Sequence, residues 1–122
     1  MDLGLHELEL HPTPGHTPDG MAVYVPWARV LVCGDYLSPV EIPWLGEREA
    51  YLETLDRLEP LVAASDWVVP GHGGPIDSAR AAAILREDRA YLEALPDAEL
   101  PLARPTRAQQ RIHRENVERL TG

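Results

Sequence analysis

The chain of 122 residues has no lysine, a single cysteine and no apolar run near the ~20 residues that cross a bilayer. One cysteine, Cys33, excludes an internal disulfide and fits a reducing compartment. The opening Met1-Asp2-Leu3-Gly4-Leu5 has neither the basic start nor the apolar core of a signal peptide. A cytoplasmic protein with no membrane partner is therefore expected. The absence of lysine leaves arginine to carry all 11 basic charges, which reads as a compositional bias without functional weight. Positive charge is scarce overall: the formal net charge is -9, which argues against a nucleic-acid partner, because phosphate contacts dominate such affinity.

The charge is uneven. From Arg104 onward five arginines stand against Glu115 and Glu118, a net of +3 that leaves -12 for the rest. The plain reading is a basic tail helix lying on an acidic body. The sharper one is an arginine-rich lip that attracts an anionic substrate.

Apolar and polar residues alternate over His6-Glu7-Leu8-Glu9-Leu10-His11, which predicts a short strand. A Pro/Gly-rich loop runs to Gly20, and Asp19-Gly20 signals a turn. Met21 to Val25 reads as a second strand, Pro26 to Arg29 as a turn, and Val30 to Cys33 as a strand covered on both faces. Tyr51, Leu52, Leu55 and Leu58 mark one stripe of a helix that begins near Glu47 and should end or kink at Pro60. Trp67-Val68-Val69 reads as a short buried strand and Pro70 to Pro75 as loop. A second helix is capped by Asp77 or Ser78, points Ala81, Ile84, Leu85, Tyr91, Leu92 and Leu95 inward, and stops at Pro96. Thr106-Arg107-Ala108-Gln109 matches a capping box and opens a third helix to about Leu120, with the thin stripe Ile112, Val117 and Leu120. Strands followed by helices in this order predict an α/β layer: a mixed sheet of about four strands with two or three helices on one face.

Three polar residues stand just past strand ends: His16 in Thr13-Pro14-Gly15-His16-Thr17-Pro18, Asp35 in Gly34-Asp35, and His72 in Val69-Pro70-Gly71-His72-Gly73. α/β proteins place chemistry there. Imidazole and carboxylate are ligand types for zinc, manganese or iron, and strands roughly 4.8 Å apart can bring such residues to one ion. Each signal alone has an ordinary explanation, as a surface turn, a cap or an anion cradle before a helix. The order of the three is what favours a metal edge.

These three motifs, in this order and spacing, resemble the last three metal-binding motifs of the metallo-β-lactamase superfamily, over residues from about 5 to 95. The resemblance implies half of a four-layer αββα sandwich. Residues 1–100 would be its C-terminal αβ half, and 101–122 an extended linker and helix packed on the same domain. It implies that His16 ligates a first metal, that Asp35 bridges two, and that His72 ligates a second. The implied activity is hydrolysis by a metal-bound hydroxide that attacks an ester, thioester, lactam, lactone or phosphoester of a small-molecule substrate. Zinc is the expected cofactor, with manganese or iron as alternatives.

The superfamily's first motif, His-x-His-x-Asp-His, is absent: the histidines are His6, His11, His16, His72 and His113, no two separated by one residue. The monomer is accordingly expected to be inactive, with no catalytic acid, base or nucleophile among its own side chains. Apolar residues among Val23, Val25, Val30 and Val32 would form an exposed patch, for a homodimer or a separate N-terminal half to cover. The alternative is a non-catalytic half-domain that serves as an interaction module. Tyr36 and His113 are candidate substrate contacts, and Cys33 a small core residue.

Overall fold

The computed structural model describes residues 7–17, 19–40, 42–43, 46–95 and 107–121, with the side chains of 107–109 and 121 left out. Five strands form one sheet in the order β1 (Glu9–Pro12), β2 (Met21–Val25), β3 (Val30–Gly34), β4 (Trp67–Pro70), β5 (Ile76–Asp77). Only β3 and β4 pair in parallel; the other neighbours are antiparallel. A parallel pair needs a crossover, and α1 (Arg48–Ala64) supplies it. It follows that β1, β3 and β4 run in the same direction. Their C-terminal ends lie at one edge of the sheet, and His16, Asp35 and His72 come after those ends.

The sheet has two unlike faces because side chains alternate along each strand. One face presents Ala22, Tyr24, Leu31, Cys33 and Val68, all buried. Tyr51, Leu55, Leu58 and Val62 of α1 join this core at helical spacing, as do Ala81, Ile84, Leu85, Tyr91 and Leu92 of α2 (Ser78–Ala94). Burying each such large side chain stabilises the fold by about 1.5–3 kcal/mol. On the other face the registers line up Leu10, Val23, Val32 and Val69 across four strands. Nothing among the described residues covers that row: Leu10 is 64% exposed and Val32 39%. The continuous apolar character of β3 pointed to cover on both faces, and the structure supplies it on one.

Three further expectations change. Pro60, read as an end or a kink of α1, does not end it: the helix continues to Ala64. Pro60 and Asp56, whose carbonyl loses its helical partner, are both exposed, so water can serve that carbonyl, while Leu58 and Val62 hold the last turns in the core. Trp67, expected in a buried strand, is 52% exposed because it lies on the uncovered face beside Val30. The segment read as loop after β4 is loop from Gly71 to Pro75, but it leads into a fifth strand of two residues that the sequence did not show, pairing Val68 with Ile76 and Trp67 with Asp77. Asp77 then caps α2, accepting from the Arg80 N–H at 2.8 Å.

A buried polar residue helps to hold the tail helix α3 (Arg107–Thr121). Asn116 is fully buried, and its Nδ2 donates to the carbonyl of Pro43 at 2.7 Å and to the Tyr91 hydroxyl at 3.2 Å. Ile112 is buried beside it, and Leu120 stays 37% exposed at the far end of the stripe. Thr106 and Pro96, the expected start and stop signals, lie outside the described residues.

Candidate functional site

The loop after β1 is shaped by a glycine. Gly15 has φ +128°, a region that L side chains rarely adopt, and a Cβ there would stand 2.5 Å from the Tyr51 backbone nitrogen. Only glycine lets the chain pass this close to α1. The Gly15 carbonyl then accepts from the Gly46 N–H at 2.8 Å and the Glu47 N–H at 2.6 Å, at the entry to the helix. Thr54 of α1 donates its hydroxyl to Pro14 O at 2.7 Å, and Arg57 donates to Pro12 O at 2.8 Å. The strand end is thus tied to the helix over the residues that lead into His16.

Tyr36 braces the same loop. The sequence marked it as a substrate contact, but it is only 2% exposed. Its hydroxyl lies 2.7 Å from Thr13 O and 2.9 Å from Pro14 O, to which it donates, and it accepts from the His16 N–H at 3.0 Å. Burial pushes the Tyr36 hydroxyl pKa upward; the His16 N–H and Thr54 oppose this, and the nearby Asp35 charge adds to it. In this position Tyr36 sets where the His16 backbone lies.

The His72 loop reaches Asp35 through a second close approach. Gly71 N–H donates to Gly34 O at 2.5 Å, and a Cβ on Gly71 would press on Gly34 O at 3.1 Å. Ser38, nearly buried, donates its hydroxyl to His72 O at 3.2 Å and accepts from Val40 N–H. Between these anchors Leu37 has φ +60°, a backbone strain of about 1–3 kcal/mol for a non-glycine residue beside the site.

These devices bring the three sequence candidates together. Nε2 of His16 lies 3.4 Å from Oδ2 of Asp35, and Nε2 of His72 lies 3.2 Å from Oδ1 of the same carboxylate. Asp35 is about half exposed, as is His72, so the edge opens to solvent. Two ligand atoms about 2.1 Å from a tetrahedral ion stand about 3.4 Å apart, so each histidine–oxygen pair fits the edge of a coordination sphere. Among the described residues no three such side chains converge on a single point as a cation site. The two histidines address opposite oxygens of Asp35, giving two histidine–oxygen pairs that share one carboxylate.

His113, the other candidate contact, is half-buried against α2, its Nδ1 2.7 Å from the Tyr91 hydroxyl. Cys33 is a core residue as expected. Its thiol donates to Tyr36 O at 3.1 Å, and burial raises its pKa to about 12. Sequence reasoning missed the bracing role of Tyr36 and the proximity of Arg119 to the His16 loop, where the Arg119 Nε donates to Gly46 O at 2.8 Å. The clustering of arginine in the tail was the only signal for the latter.

Known structures share this fold. An archaeal metallo-beta-lactamase superfamily protein from Sulfolobus tokodaii matches 97% of this chain and 45% of its own length, at 23% identity and a TM-score of 0.58. A metallo-beta-lactamase family protein from Thermus thermophilus is 28% identical over 77% of this chain and 33% of its own, with a TM-score of 0.57. The inverting sec-alkylsulfatase Pisa1 from Pseudomonas sp. reaches a TM-score of 0.65 at 22% identity, over 78% of this chain and 17% of its own. The chain therefore spans less than half the length of each of these structures. The family model described as the metallo-beta-lactamase superfamily matches residues 1–90, and the chain belongs to that superfamily.

Proposed function

We propose that this chain carries part of the metal edge of a metal-dependent hydrolase, with His16, Asp35 and His72 as ligands. The observation that carries this reading is the Asp35 carboxylate, with a histidine Nε2 at 3.2 Å from one oxygen and another at 3.4 Å from the other. Zinc or a similar divalent ion bound here would supply Lewis acidity and lower the pKa of water to about 7, chemistry that suits hydrolysis of esters, thioesters, lactams, lactones or phosphoesters. The protein's own part is positional. Tyr36 and Gly15 place His16, Gly71 places His72, and Asp35 stands between them. A catalytic zinc normally has three protein ligands. The remaining ligands would come from the other αβ half, so the chain alone should bind metal weakly and turn over no substrate.

The same reading assigns the exposed sheet face. Leu10, Val23, Val32 and Val69 would take that other half, within one polypeptide or from a second. The Sulfolobus relative supports this occupant: it aligns with nearly all of this chain and is more than twice as long. A non-catalytic interaction module is the second reading, favoured by the same uncovered row.

Metal content separates the two. Zinc titrated into apoprotein at pH 7.5 should bind, with a loss of more than tenfold in affinity in His72→Ala and in Asp35→Asn. If zinc binds neither the wild-type chain nor its complex with the other half, the hydrolase reading fails. For the sheet face, light scattering should show association with the other half. A monodisperse monomer that ignores that half and binds no apolar dye would remove the assignment, and a stable homodimer would replace it with a second copy.

A further inference from the structure

A cavity of about 490 Å³ lies beside the His16 loop, within the size range of small-molecule sites. The loop forms one wall through Pro14, Gly15 and Thr17, and the first turn of α1 forms another through Ala50. Two charged side chains line it, Glu47 and Arg119. They differ in what they have left to offer.

Glu47 is committed to the helix. Its Oε1 accepts from the Glu49 N–H at 3.2 Å and its Oε2 from the Ala50 N–H at 2.7 Å, so its charge sits on the positive end of the α1 dipole. Arg119 is anchored but not neutralised. Its Nε donates to Gly46 O at 2.8 Å, and no ion pair joins it to a carboxylate among the described residues. A guanidinium that spends one N–H on a carbonyl keeps donors for a planar anion. Apolar walls, one cation tied to a backbone carbonyl and a volume of this size together suit a molecule with an apolar body and a carboxylate end.

We propose that this cavity is a binding site for small amphiphilic carboxylates, with Arg119 as the group that recognises the anionic end. The site itself needs no metal. That the bound molecule is the substrate rests on the hydrolase reading, because His16 lines the same cavity and would carry the reacting end toward the metal edge. Arg119 then sets specificity, selecting substrates whose carboxylate stands at the far end from the scissile bond.

The test uses hexanoate and hexanol as probes, titrated into the 122-residue chain in chelator-containing buffer and followed by amide chemical shifts. Hexanoate should shift Gly15, Thr17, Gly46 and Ala50, and hexanol should bind about tenfold more weakly or worse. Arg119→Gln should weaken hexanoate about tenfold, Arg119→Lys should recover part of the loss, and Arg114→Gln, at an exposed position of the same helix, should change nothing. Equal binding of hexanol, an unchanged affinity in Arg119→Gln, or shifts confined to β2 and β3 on the open sheet face would each overturn the proposal. His72→Ala separates it from the metal reading: hexanoate should bind this variant as it binds wild type, whatever happens to zinc.

Discussion

Gly15 carries the position of His16. Its positive φ and its fit against Tyr51 leave no room for a Cβ, so Gly15→Ala must push the loop away from α1. We expect that variant to lose about 1–3 kcal/mol in urea unfolding and to bind zinc more weakly than wild type, since overpacking and loop displacement act together. A variant with full stability and full zinc affinity would show that the loop is not held there. Cys33 makes a separate prediction at the same scale. Its thiol is buried and stays protonated to about pH 12, against 9.0 for an ordinary thiol. Between those values the unfolded chain binds fewer protons than the folded one, so stability falls as pH rises. It is intact below pH 9 and declines from there through 12, by up to about 1.4 kcal/mol per pH unit. Burial also raises the hydroxyl pKa values of Tyr36 and Tyr91 above 10.0 and extends the decline. Urea midpoints at pH 8, 9.5 and 10.5 should drop in wild type, and in Cys33→Ala the drop should begin nearer pH 10. Identical profiles would exclude the thiol as a source.

At the scale of elements, the pattern of apolar residues places β2, β3, α1 and α2 well, because each has one buried stripe and one exposed side. What that pattern misses follows from interactions distant in sequence. Pro60 reads as a helix end or kink, yet the helix runs on, because burial of Leu58 and Val62 outweighs a local preference worth about 3 kcal/mol. The strand β5 has two residues, too few to show a period. The docking of α3 depends on Asn116, which reaches a carbonyl 73 positions earlier in the chain. Removing that amide in Asn116→Ala leaves Pro43 O without its donor and opens a small space at the helix contact. We expect a loss of about 1–3 kcal/mol, concentrated in faster amide exchange of α3, with β3 and β4 protected as before. Exchange that rises uniformly over the whole chain would contradict a local anchoring role.

For the whole molecule, the decisive feature is a sheet that, among the described residues, has helices on one face only. Its open row of Leu10, Val23, Val32 and Val69 carries no charge and lies across four strands. Leu10→Lys and Val32→Lys should leave the stability of the isolated chain within about 0.5 kcal/mol, since both side chains are exposed. The same pair should abolish association with the other αβ half in light scattering. Retained association would mean that a different surface makes the contact.

The sequence by itself determined the identity and order of the three polar residues after strand ends, and the alternation that puts one sheet face in a core. Both are local properties, written in residue type and spacing. It also showed that the first histidine motif is absent from these 122 residues. Only the tertiary structure decided that the two histidines address opposite oxygens of Asp35, that Tyr36 is a brace behind the His16 loop, and that Arg119 stands beside that loop at a cavity. Those outcomes depend on close backbone approaches at Gly15 and Gly71 and on a tail helix docked by Asn116. No spacing encodes them, because each is a contact between segments that meet only when the sheet and its helices have packed.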